Sequence, residues 1–162
     1  DRDSVELFSM DHVDRKILDL LQRDSGMELA DIAASVNLST TPCWRRIQRM
    51  EKDGVIRRRV ALLDREKIAL GVTVIVRVRT NRHDMEWLEQ FARTVEDIDE
   101  IVEVYRMSGD IDYVLKVVVP DIATYDAIYK RLITAVPLMD VSSNFAMEEI
   151  KFSTRLPLNY VP

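Results

Sequence analysis

Two clusters of residues in this sequence could carry chemistry. Between Asn37 and Val60 stand Arg45, Arg46, Arg49, Lys52, Arg57, Arg58 and Arg59, opposed only by Glu51 and Asp53. Guanidinium forks suit phosphate oxygens and the O6/N7 edge of guanine, and the hydroxyl, methyl and amide groups of Ser39, Thr41 and Gln48 suit phosphates and base edges. The second cluster is Ser108-Gly109-Asp110-Ile111-Asp112-Tyr113. Two carboxylates there could hold an α-ammonium group while exposed backbone N–H groups receive an α-carboxylate. The same six residues also spell an ordinary hairpin turn, and composition leaves both readings open.

The elements that must position the basic cluster are short helices. Val13, Ile17, Leu20 and Leu21 recur at helical spacing behind Asp11, a natural N-cap, with Asp14 in the first turn. After a turn at Asp24-Ser25-Gly26, Leu29, Ile32, Ala33 and Val36 give a second amphipathic pattern. Asn37-Leu38-Ser39 then reads as a tight turn, with Thr40 or Thr41 capping a third helix that runs from Thr41 to Asp53 and tolerates Pro42 in its first turn.

Cys43, Ile47 and Met50 form the inward stripe of that helix. Its free face carries Thr41, Trp44, Arg45, Gln48, Arg49 and Lys52, with Arg46 at the margin. Trp44 reads equally as a DNA contact or as the edge of the core. Gly54 terminates the helix, and Val55–Val60 has strand character suited to a basic wing. Residues 1–62 therefore read as a winged helix-turn-helix DNA-binding domain.

Residues 63–71 read as a linker, and residues 72–162 as a second domain. Its expected order is strand 72–80, helix 85–95, strand 101–108, turn 109–111, strand 112–119, helix 122–135 and strand 141–152. That βαββαβ order is the ferredoxin-like sandwich, so the fold class is α+β. Val72, Val74, Val76 and Val78 share one sheet face, while Thr73, Ile75, Arg77 and Arg79 leave the opposite face mixed and suited to dimerisation. Tyr125, Tyr129 and Leu132 at helical spacing read as core or interface.

Leu38-Ser-Thr-Thr-Pro-Cys-Trp-Arg-Arg-Ile47, with Arg49-Met-Glu51 and Gly54-Val-Ile56, closely resembles the recognition segment of the Lrp/AsnC (leucine-responsive regulatory protein) family. Asp11-His-Val-Asp-Arg-Lys-Ile-Leu18 resembles that family's opening helix, Ser108–Lys116 its effector-domain turn, and Met147-Glu-Glu149 its last strand. Spacing and order agree from about Met10 to Lys151.

The resemblance implies a transcription regulator that binds double-stranded DNA through Ser39, Thr41, Pro42, Trp44, Arg45, Arg46, Gln48 and Arg49. It also implies an ACT-like effector domain that takes an amino acid in clefts between dimers. Gly109, Asp110 and Asp112 carry over to that pocket, with Met107, Asn144 and Ala146 shaping its side-chain end. The homo-oligomer it implies is a dimer, assembling to an octamer. Trp44 and Arg45 replace an aliphatic and an often acidic residue in the family pattern, so the operator sequence does not carry over. Asn144 stands where a larger or more apolar residue is expected, which argues against leucine-like specificity.

Composition bounds the rest. The 162 residues carry a net charge of −5, so any nucleic-acid footprint is local rather than global. One cysteine, Cys43, excludes an intramolecular disulfide, and the apolar runs are too short for a membrane span, which fits a cytoplasmic, nucleoid-associated protein of a bacterium or archaeon. His12 and His83 offer no metal-ligand spacing, and neither a metal nor a cofactor is expected. No phosphate loop, nucleophile elbow or zinc-protease helix appears, so an enzyme is not expected. Two alternatives remain: a nucleoid-organising structural protein, and a tetrapyrrole decarboxylase-like enzyme on the same fold, for which His83 is the only histidine in the second domain.

Overall fold

A computed structural model describes residues 9–161. The elements in chain order are α1 (His12–Arg23), α2 (Leu29–Ser35), α3 (Thr40–Lys52), β1 (Val72–Arg79), α4 (Met85–Glu96), β2 (Ile101–Arg106), β3 (Tyr113–Val119), α5 (Ile122–Ala135) and β4 (Asp140–Phe145). The described residues up to Leu62 and from Lys151 onward form one compact unit, and Leu63–Ile150 form the other.

In the first unit, α1 begins with a reciprocal capping box. The Asp11 side chain accepts from the Asp14 amide at 2.8 Å, and the Asp14 side chain accepts from the Asp11 amide at 3.3 Å. Ile17, Leu18, Ile32, Ala33, Val36, Cys43, Ile47 and Met50 close the core. The turn between α2 and α3 satisfies the end of α2 through Asn37 N–H to Ala34 O (3.2 Å) and Leu38 N–H to Ala33 O (2.9 Å). Asn37 sits at φ 56°, a left-handed position its short polar side chain tolerates.

The N-cap of α3 is Ser39 rather than Thr40 or Thr41, and the helix ends at Lys52, not Asp53. Pro42 falls at its third position, where no intrahelical N–H bond is lost. Gly54 at φ 74° turns the chain out of α3, and its N–H reaches Glu51 O at 3.1 Å.

The strand expected over residues 55–60 does not form. A strand needs a neighbour to receive its backbone groups, and the first unit contains no other strand among its described residues. The extent expected for the second domain also changes at both ends. Residues 63–71 group with the second unit: they hold a turn, and Arg65 there donates to Thr73 Oγ1 and, at 3.2 Å, to Glu149 Oε2. Residues from Lys151 group instead with the first unit, where Leu158 packs against its core.

In the second unit the four strands are antiparallel in the order β2-β3-β1-β4, as a ferredoxin-like sandwich requires. Val74, Val76, Val78, Leu115, Val117 and Val119 face α4 and α5 and are almost fully buried. Trp87 stacks on Phe91 with ring centroids 5.0 Å apart, and its Nε1–H donates to Pro137 O at 2.8 Å. Tyr125 and Leu132 lie in this core with Tyr129 packed against it. Strand β4 stops at Phe145, seven residues short of the expected limit, because β1 begins at Val72. The last bond is Ala146 N–H to Thr73 O at 2.9 Å, and beyond it β4 has no strand partner among the described residues.

Candidate nucleic-acid interface and effector turn

Helix α3 displays its residues in three zones. Cys43, Ile47 and Met50 are at most 3% exposed, which fixes the inward side, and burial pushes the Cys43 thiol above its ordinary range. The opposite side presents Thr41, Arg45, Gln48 and Lys52, all exposed. Arg45 makes no hydrogen bond or ion pair among the described residues, while Gln48 Nε2 donates to Glu51 Oε2 at 2.9 Å. Trp44, half exposed, stands on solvent rather than closing the core. Ser39 and Pro42, at the start of the helix, are exposed as well.

The third zone was not legible in sequence. Arg46 Nη1 donates to Asp11 Oδ2 (2.7 Å) and to Asp14 Oδ1 (2.8 Å), and Arg49 Nη2 donates to Asp14 Oδ2 (2.5 Å). Asp14 is 1% exposed, so a charged carboxylate buried on α1 is neutralised by two arginines of α3. The Asp14 amide, then the Arg46 guanidinium, hold the Asp11 carboxyl below the usual carboxylate range. Beyond α3, Arg57 and Arg58 are exposed without partners among the described residues, and Arg59 pairs with Glu51 at 3.0 Å. These three arginines belong to the basic cluster but not to the contacts expected from the family pattern.

The Ser108–Asp112 segment is a turn between β2 and β3, with Gly109 at φ 102°, a conformation that suits glycine. Asp112 is part of its framework. Its Oδ2 accepts the Thr80 N–H at 2.8 Å, its own N–H reaches Val78 O at 3.0 Å, and its carbonyl accepts from Met107 N–H at 2.8 Å. Asp110 and Met107 are exposed.

Asn144 and Ala146 do not join that turn within one chain. Asn144 pairs with Ile75 on the β4 side of β1, while the turn continues from Tyr113, which pairs with Val78 on the β3 side. At about 3.4 Å per residue and about 4.8 Å per strand, the two groups are on the order of 10 Å apart along the strands and two strands apart across them. His12 and His83 are exposed, and among the described residues no group of three potential ligands could hold a metal ion. No described helix is long and apolar enough to cross a membrane.

Residues 73–156 match the Lrp/AsnC ligand-binding domain, and residues 10–57 match a winged helix-turn-helix DNA-binding domain. The chain belongs to the Lrp/AsnC family. It is a DNA-binding transcription regulator, with the α+β architecture read from its sequence. The DNA-binding transcriptional activator DecR of Escherichia coli K12 is 48% identical over 150 residues, covering 92% of this chain and 99% of that one. A crystal structure of an AsnC family regulator from Agrobacterium tumefaciens is 61% identical with a TM-score of 0.91, covering 94% and 100%. A transcriptional regulator from Neisseria meningitidis, solved as a complex with L-Met, is 31% identical with a TM-score of 0.90, covering 95% and 100%.

Proposed function

We propose that α3 reads operator DNA through Thr41, Arg45 and Gln48. In this reading Ser39 and Trp44 meet the sugar-phosphate backbone, Pro42 shapes the helix start, and Arg57 and Arg58 add backbone contacts. The observation that carries it is Arg45, exposed and unpaired among the described residues at the centre of a face whose opposite side is buried. Dimers would present two such helices to successive major grooves about 34–36 Å apart. This is work for the cytoplasm of a bacterium or archaeon, and no catalytic step is assigned.

We infer that the effector is an amino acid, as in the Neisseria regulator's L-Met complex. Asp110 and the backbone around Gly109 would hold it. Because Asn144 and Ala146 lie on the other side of β1 from the turn, a second copy of the chain must supply the rest of the pocket, which supports effector sites between dimers. Effector binding then shifts DNA affinity by favouring one assembly, with coupling of about 1–3 kcal/mol.

Selection of duplexes from a random pool, followed by titration of Arg45→Ala, tests the DNA assignment. The variant should keep its fold and lose roughly tenfold or more in affinity, since a good arginine–guanine pair contributes about 1–3 kcal/mol. Unchanged affinity and base preference would refute it. A thermal-shift screen with the common amino acids tests the effector assignment, because a bound ligand raises apparent stability.

A further inference from the structure

We propose that Asp14 is a positioning residue for DNA recognition, and that Arg46 and Arg49 act through it as anchors of α3 rather than as phosphate contacts. The proposal rests on α3 being the DNA-reading helix.

Asp14 is the only charged side chain among the described residues to be nearly fully buried. Both of its oxygens are used by α3: Oδ1 by Arg46 and Oδ2 by Arg49, while Oδ2 also accepts the Asp11 amide and so closes the capping box of α1. A buried carboxylate is tolerated only when its charge is met, and removing one partner leaves the other uncompensated. The two arginines are therefore committed to α1. They sit three residues apart, on one flank of a helix of about 3.6 residues per turn, whereas Thr41, Arg45 and Gln48 point away from the buried stripe.

One carboxylate thus ties both the start of α1 and the flank of α3. The apolar stripe Cys43-Ile47-Met50 sets the depth of α3 in the core but permits small rotation about the helix axis. Three charge-assisted bonds from one flank, two to Asp14 and one from Arg46 to Asp11, resist that rotation, and rotation decides which base edge Arg45 meets.

The test separates anchoring from phosphate binding by salt dependence. Removing a side chain that neutralises one phosphate lowers the slope of log affinity against log salt by about 0.9. The probes are a duplex this protein enriches from a random pool and a scrambled duplex of the same length. For Arg46→Gln and Asp14→Asn, preference for the enriched over the scrambled duplex should fall roughly tenfold while the slope on the scrambled duplex stays within about 0.3 of the unchanged protein.

The double variant Asp14→Asn/Arg46→Gln should lose no more preference than the worse single variant, because the two residues act as one unit. Arg46→Gln keeps Asp14 and the capping box, so its reading stands even where Asp14→Asn fails to fold. A slope lowered by about 0.9 in Arg46→Gln, or full preference retained in either single variant, overturns the proposal and leaves the DNA-reading role of α3 intact. Failure of the unchanged protein to enrich any duplex overturns that role and this proposal together.

Discussion

The Leu156 N–H donates to Gln22 Oε1 at 2.6 Å while the Leu156 carbonyl accepts from Gln22 Nε2 at 3.2 Å, so one side-chain amide on α1 grips both backbone polar groups of one residue 134 positions away. Arg155 adds a pair with Asp19 at 2.8 Å, and Leu158 packs on the core of the same unit. The closing segment is a structural part of the helix-turn-helix.

Truncation after Ile150 should therefore destabilise the first unit. Partial exposure of the apolar surface under Leu158, with loss of the two Gln22 bonds, amounts to about 2–4 kcal/mol. Gln22→Ala should cost less than about 1.5 kcal/mol, since its bonds are exposed. Denaturant unfolding would show the truncated protein losing the part of its helical signal that α1 to α3 contribute first, with the second unit, including α4 and α5, still folded. Coincident unfolding at the original midpoint would refute the role.

Asp110 and Asp112 should separate under substitution. Asp112→Ala removes the acceptor of the nearly buried Thr80 amide and should lower stability by about 1–3 kcal/mol without any ligand present. Asp110→Ala should leave the melting temperature unchanged and abolish the shift caused by an amino-acid effector. Thermal unfolding of both variants, with and without the amino acid that shifts the unchanged protein, checks the pair.

Three N-cap aspartates set an acid limit. The Asp14 amide and Arg46 lower Asp11, Arg82 and then the Trp87 amide lower Asp84, and the Thr124 amide lowers Asp121. A carboxyl lowered in the folded state contributes stability that is present above its unfolded value, about 4, and is lost as pH falls through the folded value. Stability should thus be flat in this respect above about pH 5 and decline below about pH 4. Asp121→Asn, which can still cap, should flatten part of the decline in denaturant midpoints measured across that range.

Cys43 behaves in the opposite sense. Burial raises its thiol, so its contribution is full below the unfolded value of about 8.5 and is lost as pH rises through the folded value. The folded protein should react with a thiol-specific reagent only at the rate of local or global unfolding of the first unit. Rapid stoichiometric labelling at neutral pH would show that the core opens more readily than its packing implies.

Much of this architecture is written locally. Asp11, Asp84 and Asp121 cap the helices that follow them, and Val74, Val76 and Val78 alternate inward as a half-covered strand must. The inward stripe Cys43-Ile47-Met50 follows from helical spacing alone. What escaped local reading depends on distant partners. The end of β4 is set by where β1 starts, and no residue from 146 onward announces it. The segment 55–60 has strand-forming residues but, among the described residues, no neighbouring strand to pair with.

The same holds for the arginines. Arg45 and Arg46 are chemically identical and adjacent, yet one faces solvent and the other a carboxylate 32 positions away, a difference that helical spacing marks only as centre versus margin. The Ser108–Asp112 turn was legible as a turn, but Asp112 as its internal brace required the Thr80 amide to be in view.

The second unit is nested in the chain between two parts of the first, entering after Leu62 and leaving before Lys151. On a ribosome adding about 5–20 residues per second, α1 to α3 emerge before the sheet unit but wait several seconds for Leu156 and Leu158. The helix-turn-helix unit is thus begun before the sheet unit and completed only after it. A nascent chain interrupted inside the sheet domain carries an unbraced helix-turn-helix, so premature termination should yield fragments easily proteolysed rather than stable competitors for the operator.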